Sequence, residues 1–103
     1  MPKYQVDITR IAESDIKEIH STIARDNPLA AAKWFEEVDR QIHSLENFPL
    51  RCPVIPEAQE LGNQYRHLIY GYYRTIFRIE GKGVIILRVI HGARLLDMKA
   101  VER

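Results

Sequence analysis

A chain of 103 residues has room for one hydrophobic core, so we expect a single domain spanning residues 1–103. Apolar residues make up 46% and charged residues 28% of the chain, a balance that excludes a disordered or fibrous protein. The net charge of +1 is too small for the strong, sequence-independent attraction of a highly basic nucleic-acid binder.

The first predicted elements are a short strand and an amphipathic helix. Tyr4, Val6 and Ile8 alternate with polar residues, which is the period of a half-buried strand. Thr9 is a favoured N-cap for the helix that follows. Four apolar residues then recur at helical spacing and form one stripe, namely Ala12, Ile16, Ile19 and Ile23. The outer face is charged and includes Glu13, Asp15, Lys17, Glu18 and Arg25.

A second helix is predicted directly after the first. Asn27 is a favoured N-cap, and Pro28 suits the first helical position because its missing N–H would be unpaired there anyway. Apolar residues again recur at helical spacing: Ala31, Phe35, Val38, Ile42 and Leu45. We expect the two helices to pack as an antiparallel hairpin along these stripes, with Trp34 covering the edge of the second stripe.

The remainder of the chain is predicted to be a loop followed by three strands. Pro49 ends the second helix, and residues 49–64 form a segment that is longer than most loops and is either functional or contains a short helical turn. A period of two then predicts strands at 65–70, 73–79 and 84–90. This order predicts an α+β fold with the helical hairpin packed on one face of a mostly antiparallel sheet.

Arginines interrupt two of these strands. Tyr73, Thr75, Phe77 and Ile79 share one face of their strand, and Ile85, Leu87 and Val89 form an apolar set in the next. Packing these sets against the helices leaves Arg74, Arg78 and Arg88 together on an open face, with Ile76, Ile86 and Ile90 between them. Such an apolar floor with arginines is typical of a contact surface. The alternative is that the arginines only solubilise the sheet, paired with Glu80 or Asp97.

Several kinds of site and location are not expected. Cys52 is the single cysteine, and the four histidines lack metal-ligand spacing, so we predict no metal and no other cofactor. No uninterrupted apolar run exceeds four residues, and the first residues lack the apolar core of a signal peptide. We therefore expect a cytoplasmic protein without membrane contact.

The C-terminal half of the chain is basic, since residues 49–103 contain nine Lys and Arg against five Asp and Glu. We expect this half to face an anionic target.

Residues 72–94 read YYRTIFRIEGKGVIILRVIHGAR. Together with the order of elements, they resemble the RelE/ParE superfamily of bacterial toxins from type II toxin–antitoxin modules. The resemblance covers essentially the whole chain, and its specific parts are the Tyr-Arg-x-x-Phe-Arg strand at 73–78 and the His-Gly-Ala-Arg at 91–94. It implies a RelE/ParE-like β-α-α-β-β-β fold, growth inhibition, and a cognate antitoxin that forms a hetero-oligomer with the toxin.

The ParE-like branch is favoured by the pattern aliphatic-Leu-Arg-Val-aliphatic-His in VIILRVIH. Resemblance to that branch implies a protein that poisons DNA gyrase by binding, without hydrolytic chemistry of its own. Six basic residues are then candidates for contact with the target: Arg66, Arg74, Arg78, Arg88, His91 and Arg94.

Resemblance to the RelE-like branch implies instead a nuclease that cuts mRNA on the ribosome. Arg74 and Arg94 match positions of catalytic arginines in that branch, and Arg66 lies near the position of a catalytic lysine. The C-terminal tyrosine of the branch has no counterpart, because Ala100 falls there, so His91 or His67 would have to act as the base. A third alternative is an inactive family member that only binds its antitoxin.

Overall fold

The chain forms a helical hairpin and a four-stranded sheet whose second face is covered by a loop segment. The structure is a computed structural model and describes residues 3–62 and 64–101. The α-helices are α1 (Arg10–Asp26), α2 (Pro28–Ser44) and α3 (Met98–Val101), and the strands are β1 (Gln5–Ile8), β2 (Tyr65–Tyr70), β3 (Tyr73–Glu80) and β4 (Gly83–His91). Two 3-10 helices, Pro49–Arg51 and Pro56–Leu61, lie between α2 and β2. The predicted order of strand, two helices and three strands is confirmed.

Both predicted helix caps are confirmed. The Thr9 hydroxyl accepts a hydrogen bond from the Ala12 N–H at 3.2 Å, and the Asn27 side chain accepts one from the Ala30 N–H at 3.1 Å. The backbone N–H of Asn27 also donates to the Ile23 carbonyl at 2.9 Å, at the end of α1. One residue thus closes α1 and opens α2, which makes the hairpin connection short.

The strand order in the sheet is β1-β4-β3-β2. The last three strands form an antiparallel meander, as predicted, whereas β1 runs parallel to β4 with Gln5 opposite Gly83. The two meander turns place Gly71 and Gly81 at φ values of 58° and 59°, which glycine adopts without strain. Because β1 pairs with β4, the start of α1 lies beside the middle of the sheet.

The main core lies between the helical hairpin and the sheet. It is formed by Ala12 from α1, by Trp34, Val38 and Ile42 from α2, and by Phe77, Val84, Ile86 and Val89 from the sheet. The expectation for α2 was wrong at two neighbouring positions. Trp34 is buried, at 7% exposure, and its ring packs edge-on against Tyr73, whereas Phe35 is 45% exposed. Trp34 therefore belongs to the core, and Phe35 lies at the edge of the stripe.

The second face of the sheet is covered, so the expected open face is wrong. Ile55, Ala58 and Leu96 pack on Ile76 and Ile90 there. The segment before β2 folds back along that strand, since the Ile55 N–H donates to the Tyr65 carbonyl at 3.0 Å and the His67 N–H to the Pro53 carbonyl at 3.2 Å. The long predicted loop is thus a covering layer with two 3-10 turns.

A β-bulge in β4 changes which of its residues face the helices. Ile76 pairs with Arg88 and Phe77 with Ile86, which leaves Leu87 as an extra residue. An extra residue shifts the alternation of side chains by one position. Val84, Ile86 and Val89 therefore pack against the hairpin, and Ile85 and Leu87 pack on the second face. The prediction that Ile85, Leu87 and Val89 form one set is wrong for this reason.

Within the described part of the chain, no helix is both long and apolar enough to cross a membrane.

Candidate functional site

The three strand arginines do not share a surface. Arg74 is buried at 4% exposure, Arg78 donates to the exposed carboxylate of Glu80 at 2.9 Å, and Arg88 bonds to Asp15 of α1. The predicted group of arginines on an open face is therefore wrong. The reason is that the second face is covered and that two arginines have carboxylate partners in distant parts of the sequence.

Arg74 forms a buried ion pair with Glu57 of the second 3-10 helix. Both guanidinium Nη atoms donate to the Glu57 carboxylate, one of them at 3.1 Å to Oε1, and the two side chains are only 4% and 7% exposed. Glu57 Oε2 also accepts from the Leu96 N–H at 2.8 Å, and Arg74 Nη2 donates to the Arg94 carbonyl at 2.6 Å. The hydrogen bonds from Arg74, and then that from Leu96, lower the pKa of Glu57 to about 2.

His67 lies beside this ion pair. Its ring is 8% exposed, and Nδ1 lies 3.3 Å from Arg74 Nη1. Because a guanidinium only donates, Nδ1 accepts this bond and the neutral ring carries its proton on Nε2. Burial, and then the charge of Arg74, lower the pKa of His67.

Arg66 donates to the carbonyls of Cys52 at 2.6 Å and Leu50 at 3.2 Å, and so binds the covering segment to β2.

Three other predicted site residues meet in a polar cleft between α1 and the end of β4. We call it the α1–β4 cleft, and its lining includes Asp15, Glu18, Thr22, Tyr73, Arg88, His91 and Arg94. His91 and Arg94 are exposed. The His91 ring stacks on Tyr72, with an interplanar angle of 7°, and its Nδ1 accepts from the Ala93 N–H at 3.1 Å. That bond leaves Nε2 as the hydrogen donor of the neutral ring.

Arg88 and Asp15 form the floor of the α1–β4 cleft. Arg88 Nε and Nη2 donate to the two Asp15 oxygens at 2.8 and 3.0 Å, and the Val89 N–H donates to Oδ2 at 2.9 Å. The hydrogen bonds that Arg88 donates to Asp15 raise the pKa of Arg88. The sequence placed Asp15 on the outer charged face of α1, and this was wrong because its side chain is 13% exposed and points to the sheet.

Sequence reasoning did not find Asp15 or Glu57 as partners of the strand arginines. The one signal in the sequence was the unusual length of the segment 49–64, which indicates that this segment packs on the sheet. A carboxylate in such a segment is a suitable partner for a buried arginine. In the described residues, no group of three or more His, Cys, Asp and Glu side chains could hold a metal ion.

A second surface is an apolar groove on the helical hairpin. Ile8, Ile16, Phe35, Val38 and Ile42 line it, and Glu13, Lys17 and Asp39 add charge. Exposed apolar side chains also occur on both helices, at Ile11 with 60% and Leu29 with 75% exposure. A monomer gains nothing from exposing so many large apolar groups on one element, so the groove is a candidate protein-binding surface.

Comparison with known proteins gives a consistent result. The family model described as the ParE toxin of the type II toxin–antitoxin system, parDE, matches residues 6–96. A chromosomal ParDE toxin–antitoxin system from P. aeruginosa contains a chain with TM-score 0.69 and 20% identity, covering 88% of this chain and 98% of that one. The RelBE2 toxin–antitoxin complex from Mycobacterium tuberculosis contains a chain with TM-score 0.57 and 27% identity, covering 86% of this chain and 98% of that one. No curated protein sequence matches.

Proposed function

Since the chain belongs to the ParE toxin family of type II toxin–antitoxin systems, we propose that it inhibits DNA gyrase by binding through the α1–β4 cleft. The observation that carries this proposal is the buried ion pair of Arg74 with Glu57. Because Glu57 holds Arg74, Arg74 is not free to take part in catalysis next to His91 and Arg94. The cleft then offers only the exposed His91 and Arg94, which suits contact with a partner better than catalysis.

Arg74 is poorly placed to contact an RNA phosphate. Its Nη atoms donate to Glu57 and to the Arg94 carbonyl, and its side chain is 4% exposed. A phosphate would have to displace Glu57, which would leave a buried carboxylate without its partner, and that costs several kcal/mol. The same argument applies to His67, whose ring is buried and whose Nδ1 lies at the same guanidinium.

His91 and Arg94 are the accessible basic groups of the α1–β4 cleft. The Nδ1 atom of His91 already accepts a backbone hydrogen bond, so the neutral ring offers an N–H donor to a partner and not a lone pair. Arg94 offers a guanidinium, which recognises carboxylates in a bidentate manner. These donors, next to the carboxylates of Asp15 and Glu18, suit a protein surface that carries groups of both signs.

The test uses purified protein, DNA gyrase, ATP and relaxed plasmid, with supercoiling and trapped cleavage complexes as readouts. We expect inhibition by the wild type, and a loss of at least tenfold in potency for Arg94→Ala, as for a contact residue at the centre of an interface. Arg40→Ala is the matched control, because Arg40 lies exposed on α2 in an ion pair with Glu37. No inhibition at saturating protein would refute the proposal.

The alternative of a ribosome-dependent nuclease is favoured by one observation, the presence of His91 and Arg94 side by side in an open cleft. It predicts cleavage of mRNA on translating ribosomes, with a loss of several orders of magnitude in rate on His91→Ala. A protein that only binds its antitoxin would show neither activity. The gyrase and ribosome assays therefore separate all three alternatives.

We further propose that the cognate antitoxin binds the apolar groove of the helical hairpin. The structural neighbours include a toxin–antitoxin complex, and the groove exposes apolar side chains such as Phe35 at 45%. An amphipathic antitoxin segment that folds on binding would bury this surface. Calorimetry with Phe35→Ser should show a loss of affinity, and an unchanged affinity would place the antitoxin elsewhere.

A further inference from the structure

The segment that carries Arg94 has no regular structure of its own. Between the end of β4 and α3, residues 92–97 form no helix or strand. The turn directly after β4 is held by the Arg94 N–H, which donates to the His91 carbonyl at 3.0 Å. Between Arg94 and Leu96, the backbone instead forms hydrogen bonds with side chains from distant parts of the chain.

Two of those bonds come from the same buried ion pair. Arg74 donates to the carbonyl of Arg94 at 2.6 Å, and Glu57 accepts from the N–H of Leu96 at 2.8 Å. The ion pair therefore holds two backbone groups that are two residues apart, the Arg94 carbonyl as acceptor and the Leu96 N–H as donor. We call these four groups the Glu57–Arg74 anchor. The Leu96 side chain, at 7% exposure, packs beside it on the second face of the sheet with Ile76 and Ile90.

The anchor fixes the backbone of Arg94 while leaving its side chain accessible. Arg94 is exposed and lines the α1–β4 cleft with His91 and Arg88. Charge-assisted hydrogen bonds in a buried setting are short and strong. Arg74 therefore holds the backbone of Arg94 on one side, and the Arg94 guanidinium is presented on the other. Leu95, at 76% exposure, contributes little to holding the segment.

We propose that Glu57 and Arg74 are positioning residues for the target contact made by Arg94. This inference rests on the proposed function only in taking the α1–β4 cleft as the surface that meets the target. The anchor holds the Arg94 guanidinium next to His91 and the Arg88–Asp15 pair, so that the target meets a preformed cleft. Loss of the anchor releases residues 93–97. Each binding event then has to order this segment, and the entropy lost in doing so weakens the affinity for the target.

The variant Glu57→Leu/Arg74→Met tests the anchor without leaving a buried unpaired charge. Replacing both partners of a buried pair with apolar residues of similar size is often neutral for stability, so we expect this protein to fold. Its Leu96 N–H loses the carboxylate acceptor, and amide hydrogen exchange at Leu96 should accelerate at least tenfold while the exchange of β3 stays unchanged. Glu37→Leu/Arg40→Met, the same change at an exposed pair on α2, is the control.

The decisive readout is growth inhibition by induced protein, because it does not depend on which target is bound. We expect the anchor variant to lose as much toxicity as Arg94→Ala, and the combined variant Glu57→Leu/Arg74→Met/Arg94→Ala to lose no more than either. Residues that act through one contact are non-additive in this way. Losses that add, full toxicity despite faster exchange at Leu96, or full toxicity of Arg94→Ala would each overturn the inference.

The gyrase assay separates this inference from the proposed function. If the wild type inhibits growth but not gyrase, and the losses are still non-additive, the gyrase proposal fails and the positioning role stands. If gyrase is inhibited equally by the wild type and the folded anchor variant, the positioning role fails and the gyrase proposal stands. A wild type that inhibits neither growth nor gyrase refutes both.

Discussion

Trp34 and Phe35 are sequence neighbours on α2 with opposite surroundings. Consecutive helix residues point about 100° apart, so only one of the two can face the sheet. Both fit the helical spacing, because Trp34 lies three residues after Ala31 and four before Val38, while Phe35 lies four after and three before. Spacing alone could not choose between them. The choice depends on the space beside Tyr73, which the Trp34 ring fills.

We expect the two aromatic residues to differ in their contribution to stability. Trp34→Ala should reduce the free energy of unfolding by about 3–5 kcal/mol, because it opens a cavity in the main core. Phe35→Ala should cost less than about 1 kcal/mol, since its side chain is largely at the surface. Urea unfolding followed by circular dichroism measures both, and equal losses would contradict the assignment of the two side chains.

The depressed pKa of Glu57 predicts how stability depends on pH. Its value falls from the ordinary 4.5 to about 2 in the folded protein, so the unfolded chain takes up the proton first. The stabilisation, about 3 kcal/mol for this shift, is complete above about pH 5 and is lost as the pH falls from 4.5 towards 2. Because the variant Glu57→Leu/Arg74→Met lacks this titrating group, its unfolding temperature should fall less than that of the wild type between pH 4.5 and 2, so that the difference between the two proteins changes over this range. A constant difference over this range would show that Glu57 is not the responsible group.

The candidate site was predictable only in part at this scale. The sequence marked Arg88 within an apolar strand and His91 and Arg94 after its end as candidate contact residues, and the fold brings these three into one cleft. Arg74 and His67 were equally polar in the sequence but are buried. Their burial depends on Glu57, which lies 17 residues from Arg74, and no local pattern identifies a partner at that distance.

At the scale of elements, the strands and helices were predictable because the periods of their apolar residues are clear. Which residues of a strand face the helices was not predictable. The bulge at Leu87 changes the alternation in β4, and nothing in the run VIILRVI marks its position. The bulge occurs where β1 ends. Beyond that point Thr9 donates to the Leu87 carbonyl at 3.3 Å, and Asp15 accepts from the Val89 N–H. The groups that support the bulge belong to another element, which is why the sequence of β4 could not reveal it.

The Asp15 carboxylate should therefore be the main polar link between α1 and β4. Asp15→Ala leaves the Val89 N–H and the Arg88 guanidinium without their acceptor, and we expect a loss of about 2–3 kcal/mol in the free energy of unfolding. Glu13→Ala, on the exposed side of the same helix, should change it by less than about 0.5 kcal/mol. Chemical denaturation provides the comparison, and similar values for the two variants would contradict the role of Asp15.

At the scale of the whole molecule, the polar and the apolar candidate surfaces both include α1 but use different residues of it. The α1–β4 cleft is polar and lies at the end of the sheet, while the apolar groove faces outward from the hairpin. Residue periodicity predicted that the hairpin packs on the sheet, but it could not show how much of the stripe stays uncovered. The exposure of Phe35 and Ile11 was found only in the folded chain.

We expect the isolated toxin to self-associate through the apolar groove more than its antitoxin complex does. Light scattering at increasing concentration should show larger particles for the toxin alone, and Phe35→Ser should reduce their formation because it removes an exposed aromatic ring. Lys82→Ser, at an exposed position in the turn between β3 and β4, serves as a surface control. Equal solubility with and without the antitoxin would contradict this expectation.

The parallel pairing of β1 with β4 joins residues 5–8 to residues 83–86. A ribosome releases the N-terminal part of a chain first, so β1, α1 and α2 are made well before the strand that β1 pairs with and the sheet on which their stripes pack. Contacts this distant in sequence form only once both partners are present. The toxin should therefore remain unfolded, and harmless to the cell, during most of its own translation. We therefore expect that an antitoxin already present would meet the folded toxin only after residues 83–86 have been made.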